Sequence, residues 1–353
     1  MTKPIKHFSL HRVAGTELQV VSDVESGVLS LIQVEEQVIQ SYARQGAWPH
    51  TGVTLFILQD LAALTRQLKH KEGLWKETLA TLTDRPVVNI YDLSDLSECH
   101  LFVNQQAMIQ GGYWDDLQAV RGLLAHEHAH PLSECQTVRL SRRVRATHAW
   151  DIEAGIGGKD HEGGTTDRAL SPRIDQLLHR LVAKLCLDAP REILANERVI
   201  RSGFGDALLY LDRQGVRQAI RGVAGRNDLL DDLQRRVTEG TLSPSMVALL
   251  LLLGDMSSYL EQALEISAFY RAGHEREAEE LEMCLKDQVF VHLEPESRLA
   301  YDALCLQYRE LGEDMTVQAL DSWGTGILAI LAQALASKGL ILQYHLEIEK
   351  GLN

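Results

Sequence analysis

Apolar positions follow two different periods along the first third of the chain and a single one along the rest. Residues 17–21 alternate weakly and predict a first strand. Residues 26–42 predict a helix, with Val28, Leu31, Val34, Val38 and Ile39 near one face. The run GVTLFIL at 52–58 is short, apolar and rich in strand formers, and predicts a buried strand. Residues 61–82 read as helix, interrupted around 71–73. PVVNIY at 86–91 and HLFV at 100–103 read as two further strands, before Gly111-Gly112 turns the chain into another helical stretch. From Ser171 onward every segment carries the helical period. Ser171-Pro172 predicts a helix start by cap and first-position proline, with Ile174, Leu177, Leu178, Leu181, Val182 and Leu185 as its apolar stripe. Further helices are predicted over 188–200, 206–224, 228–239, 243–271, 275–285, 297–311 and 315–338.

The helical stretch after Gly112 ends in Leu123-Leu124-Ala125-His126-Glu127-His128-Ala129-His130. This contains His-Glu-x-x-His, read as His126, Glu127 and His130. Residues four apart share a helix face, so the two imidazoles can hold one zinc ion while Glu127 stands beside its water. Trp114, Leu117, Val120, Leu124 and Ala125 give the helix its apolar spacing, and Asp115 and Asp116 sit where the dipole favours acid. Pro131 predicts that the helix stops there. His128 lies about 200° around the helix from its two neighbours, which excludes it from their metal and leaves it a supporting or solvated role.

Charge and cysteine usage narrow the setting. The 353 residues carry 35 Lys and Arg against 49 Asp and Glu, a net −14, which argues against nucleic acid or an anionic membrane as partner. The five cysteines, Cys99, Cys135, Cys186, Cys284 and Cys305, are scattered, odd in number and free of any Cys-x-x-Cys, so free thiols in a reducing compartment are expected rather than disulfides or a zinc ribbon. Residues 1–15 hold two lysines without an apolar run behind them and do not read as a signal peptide. The longest apolar runs, 246–253 and 326–336, are too short to span a bilayer. A cytoplasmic protein is expected.

Strands followed by a helix bearing His-Glu-x-x-His resemble the layout of the zincin metallopeptidases over about residues 50–200. The resemblance implies an α+β fold in which a mixed sheet lies over the active-site helix, followed here by a mainly α-helical C-terminal half. Residues 1–200 would form the metallopeptidase core, and residues 201–353 a helical bundle or tetratricopeptide-like extension. It also implies that an edge strand binds substrate backbone in extended form, with 98–106 as the segment for that strand. A hydrolytic zinc wants a third protein ligand. The metzincin position for a third histidine is Gln136, which disfavours that branch. Glu192-Ile193-Leu194-Ala195-Asn196 resembles the second-helix motif of gluzincins, including ImmA/IrrE-like and HtpX-like peptidases. That likeness implies Glu192 as the third ligand and Asn196 as its hydrogen-bonding support. Asp151 and Glu153 are the alternatives. The HtpX-like families carry membrane helices and the ImmA/IrrE-like proteins a shorter gap between motifs, and Pro131 is unusual for either.

The expected activity is zinc-dependent peptide hydrolysis with Glu127 as general base, on a peptide or protein substrate. An oxyanion stabiliser is expected among His148, Tyr113, His161 and Tyr210. Four arginines, Arg139, Arg142, Arg143 and Arg145, read as a solvated surface or as a carboxylate-docking site, in a segment read as helix over 133–148. The glycine-rich stretch 155–166 (GIGGKDHEGGTT) reads as a loop and lacks a phosphate-binding ending. Residues 263–280 and 299–319 share a pattern of apolar helix, Tyr-Arg, Gly-containing turn and second helix, at an offset of about forty residues. They suggest a platform for a protein partner. The alternative function is therefore a non-enzymatic partner-binding protein on a zincin-like scaffold.

Overall fold

The computed structural model describes residues 5–46, 48–63, 84–152 and 166–349. Most of the expected helix at 61–82, and all but the last residue of the glycine-rich stretch 155–166, lie outside the described residues. The chain is mixed α and β, with a mixed sheet and a helical C-terminal half. It divides into two compact units, Met1–Ser133 with Arg198–Leu211, and Glu134–Glu197 with Asp212–Asn353.

The first unit is built on five strands: β1 (His7–Val13), β2 (Thr16–Ser22), β3 (Gly52–Leu58), β4 (Val87–Tyr91) and β5 (Glu98–Asn104). Their order is β1-β2-β3-β5-β4. The pairs β2–β3 and β3–β5 are parallel, while β1 and β4 run antiparallel at the two edges. The expected substrate-binding edge at 98–106 is thus corrected: β5 lies inside the sheet, and β4 is the edge beside it. The apolarity of HLFV is that of a strand covered on both sides.

Register sorts the side chains into two layers. Leu18 and Val20 of β2, Val53, Leu55 and Ile57 of β3, Cys99, Leu101 and Val103 of β5, and Val87 and Asn89 of β4 share one buried face. Phe56, Phe102, Val88, Leu58 and Ile90 pack with Leu61 on the other. Helix α1 (Val28–Arg44) and the motif helix pack against each other. Between β5 and the motif helix lies the short helix α2 (Gln105–Gln110), and the motif helix itself is α3 (Leu117–Leu132). The segment 198–211 joins the same unit by packing on these helices. The Phe204 ring lies tilted against Tyr42 with centroids 5.1 Å apart, Arg121 lies 5.2 Å over the Phe204 ring, and Gln45 donates to the Ser202 carbonyl. Gly203, at φ 78°, takes the left-handed conformation that turns this segment.

The second unit begins with helix α4 (Gln136–Ser141), then strand β6 (Val144–Ile152), helix α5 (Thr166–Val182) and helix α6 (Ala189–Val199). It continues with α7 (Gly205–Thr238), whose first turns belong to the first unit. Then come α8 (Pro244–Tyr259), α9 (Gln262–Arg271), α10 (Glu275–Gln288), α11 (Pro295–Arg309), α12 (Val317–Ala336) and β7 (Leu340–Ile348). Several expectations are corrected here. Residues 144–152 and 340–348 are not helical but pair antiparallel as β6 and β7. Their period of two runs through Val144, Ala146, His148, Trp150 and Ile152, where Ala and His conceal it from an apolarity count. The two helices expected at 206–224 and 228–239 are one helix, and Pro172 lies inside α5 rather than at its start.

The helices of the second unit are tied by buried polar bonds. Arg226 binds Asp255 through two contacts of 2.6 and 2.9 Å, and Arg271 binds Glu197 at 2.7 Å. Tyr308 donates to the Leu185 carbonyl and Trp323 to the Gln307 carbonyl. By length and composition alone α12 is long and apolar enough to cross a bilayer, as is the bent pair α8–α9 taken together. Leu320, Trp323, Ile327, Leu328, Leu331 and Leu335 of α12 are buried within the unit.

Gly122 sets how closely 205–211 approaches α3. A Cβ there would meet Leu211 Cδ1 at 2.5 Å and the Ala207 carbonyl oxygen at 2.9 Å. A Gly-to-Ala change inside an ordinary helix stabilises by about 1 kcal/mol. Gly122→Ala should instead destabilise by about 1–3 kcal/mol in urea denaturation, because a backbone oxygen cannot yield as a side chain can. A stabilised Gly122→Ala protein would contradict this packing.

Candidate metal centre

The motif helix is anchored at both ends. At its start Asp116 is the N-cap. Its Oδ1 accepts from the N–H groups of Gln118 and Ala119, at 3.2 and 3.1 Å, and its Oδ2 accepts from the Tyr210 hydroxyl at 2.6 Å. Tyr210 therefore acts about 15 Å along the axis from His126, which removes it from the oxyanion candidates. Midway, the buried Tyr42 hydroxyl donates to the Ala125 carbonyl at 2.8 Å.

The far end carries the chemistry. The helix runs through Pro131 to Leu132, two residues beyond His130. A proline at 131 has no N–H for the carbonyl four residues back, which is that of Glu127. The structure supplies a replacement from the sheet. Asn89 Nδ2 donates to the Glu127 carbonyl at 3.1 Å, and the Asn89 main-chain N–H donates to Glu127 Oε2, also at 3.1 Å. As β4 is an edge strand, this N–H faces the helix rather than β5. One residue of the sheet thus repairs the helix and aims its carboxylate.

His126, Glu127 and His130 converge, with one ligand atom from each lying within 4.8 Å of the others. The two rings meet edge to face, with centroids 4.6 Å apart. Glu127 and His130 are buried and His126 is half-buried. A tetrahedral ion at about 2.0–2.1 Å from each nitrogen needs them roughly 3.4 Å apart, within reach of modest side-chain rotation. The donor set of two imidazoles with an adjacent carboxylate suits zinc.

The remaining candidates fall in several places. Glu192 and Asn196 lie one turn apart on α6, in the second unit, with Glu192 half-buried and Asn196 buried. Glu192 is among the carboxylates that act on Glu265, whose carboxyl is pushed well above the usual range by burial first and then by Asp212 and Glu261. Asp151 is exposed on β6, and Glu153 and His161 lie outside the described residues. His148 is half-buried on β6 in the second unit. Tyr113 is half-buried just before α3 in the first, its ring against Gly111. Of the four arginines, Arg142 pairs with Glu134, and Arg145 pairs with Glu349.

Of the two roles expected for His128, supporting or solvated, the solvated one is corrected: His128 is fully buried, and its Nε2 is held by Glu35 Oε1 at 2.7 Å. Sequence reasoning missed Asn89 and Glu35. Each is a polar residue at a position where its element is otherwise apolar: Asn89 within PVVNIY, and Glu35 on the stripe of Leu31, Val38 and Ile39. That misfit is the signal that marks them. No family model, curated protein or solved structure matches the chain.

The clamp predicts a non-additive pair. Asn89→Ala should cost about 1–3 kcal/mol in urea denaturation, because the Glu127 carbonyl loses its substitute donor. In a Pro131→Ala background, whose restored N–H can take that carbonyl, the same change should cost clearly less. Equal costs in both backgrounds would contradict the substitution of one donor for the other.

Proposed function

We propose that this chain is a zinc-dependent metallopeptidase of the His-Glu-x-x-His class, gluzincin-like, that hydrolyses peptide bonds with Glu127 as general base. The observation that carries the reading is the convergence of His126, Glu127 and His130 at the end of a helix whose Glu127 is aimed by the antiparallel edge strand of a mixed sheet. Such a sheet over such a helix is what the zincin resemblance implies. His126 and His130 would hold the ion through neutral imidazoles, and the gluzincin resemblance implies Glu192, with Asn196 in support, as the third ligand, and Glu153 or Asp151 as its replacement.

A bound zinc ion supplies Lewis acidity, lowering the pKa of water toward about 7 and polarising the scissile carbonyl. Glu127 takes the proton of the attacking water at its carboxylate and returns it to the leaving amine. The Asn89 N–H keeps one carboxylate oxygen fixed while it does so. His148 or Tyr113 would steady the developing oxyanion. The substrate is a peptide or protein in the cytoplasm, in keeping with five free cysteines and a net charge that disfavours nucleic acid and anionic membranes.

Glu127→Gln should retain about one zinc at this centre and lower hydrolysis of a mixed peptide library by about 10²- to 10⁴-fold. Full turnover in that variant would exclude Glu127 as the base. Glu192→Ala should lose zinc, whereas loss in Glu153→Ala instead would keep the activity and move the ligand. A zinc-replete wild-type protein that cuts no peptide would favour the partner-binding alternative, with the helical half as its platform.

A further inference from the structure

The opposite face of α3 carries a second group of ligand atoms that the peptidase reading does not use. His50 leads into β3, Cys99 is on β5 and His128 is on α3. One ligand atom from each lies within 4.8 Å of the others. His50 is 2 % exposed, and Cys99 and His128 are 0 % exposed.

The outer nitrogen of each ring is already engaged. His50 Nδ1 lies 2.5 Å from the Leu96 carbonyl, and His128 Nε2 lies 2.7 Å from Glu35 Oε1. A carbonyl or carboxylate oxygen only accepts, so each of these nitrogens carries the proton. The inner nitrogens, His50 Nε2 and His128 Nδ1, are therefore bare lone pairs, and both are buried with no hydrogen-bond partner. A thiol has one proton and can serve at most one of them. Two lone pairs and a sulfur gathered in a dry interior repel one another unless a cation lies between them. Anchoring the far nitrogen of a histidine by a carboxylate or carbonyl is also how metal-binding imidazoles are oriented.

We propose that His50, Cys99 and His128 form a structural metal site for zinc, separate from the His126–His130 centre. Binding releases the Cys99 thiol proton to solvent and joins the thiolate and two neutral imidazoles to the ion. Charge favours a divalent ion over copper(I): one thiolate and the Glu35 carboxylate bring two negative charges, which Zn²⁺ balances and Cu⁺ does not. Burial closes the site to substrate, so its role is to fix α3 against α1 and the sheet. Trp48 covers it, its ring 4.7 Å from His50 and 4.9 Å from His128. The proposal stands independently of peptidase activity, because only this site contains sulfur.

The test is cobalt substitution of the full-length protein under reducing conditions, read by absorption. A Co²⁺–thiolate centre gives a near-ultraviolet charge-transfer band that a site of imidazoles and carboxylates does not. The wild-type chain should show that band with about two metal ions bound. Cys99→Ser should lose the band, and His126→Ala/His130→Ala should keep it while losing one ion. Copper(I) retained in preference to zinc on competitive loading would overturn the choice of ion. Absence of the band in the wild-type protein, or its survival in Cys99→Ser, would overturn the site itself, and the wild-type result does not depend on any variant folding.

Discussion

Asn89 and Glu127 meet through two bonds, and the arrangement of the first unit follows from why both are needed. Pro131 removes the N–H that would close the last turn of α3, so the Glu127 carbonyl needs a donor from elsewhere. An edge strand is the element with an N–H to spare, and β4 is that edge. Its Asn89 side chain serves the carbonyl, and its main chain serves the carboxylate. The strand's position is thus coupled to the orientation of one functional group, and the proline that looks like a defect in a motif helix is what creates the coupling. Such an exchange of donors costs little when complete and much when half-made.

The same helix is asymmetric about its axis. His126 and His130 project to one side, and His128 projects about 200° away, into the interior. A helix with histidines on opposite faces has to bury one set. Here the cost of burying His128 is offset by the bond of its Nε2 to the Glu35 carboxylate. Tyr42 and the Asp116 cap hold the helix at its middle and its start, and Gly122 lets residues 205–211 come close. The end that bears the motif is therefore the end of a rod fixed along its whole length, which is what a site built to a few tenths of an ångström requires.

How much of this was readable in advance depended on how local the information was. The strands at 52–58, 86–91 and 100–103 and the helix at 26–42 were legible because their apolar positions keep a strict period. The order of the strands is not legible, and so 98–106 reads as the edge that β4 occupies. Strand β6 escaped because alternation through Ala146 and His148 leaves little contrast. The His126–Glu127–His130 group was legible because four residues make one turn. The His50–Cys99–His128 group was not, because its members come from three segments with no common spacing and only the sheet register brings them together. Glu35 and Asn89 could be found only by asking why a polar residue occupies a core position.

The most direct test of the account is an anomalous difference map at the zinc edge, from crystals of the zinc-replete protein. The account predicts a peak bonded to one nitrogen each of His126 and His130, with Glu127 beside it and not bound, and the third ligand visible in the same density. A map from fully loaded protein with no peak between those two histidines would contradict the metal centre on which the functional reading rests.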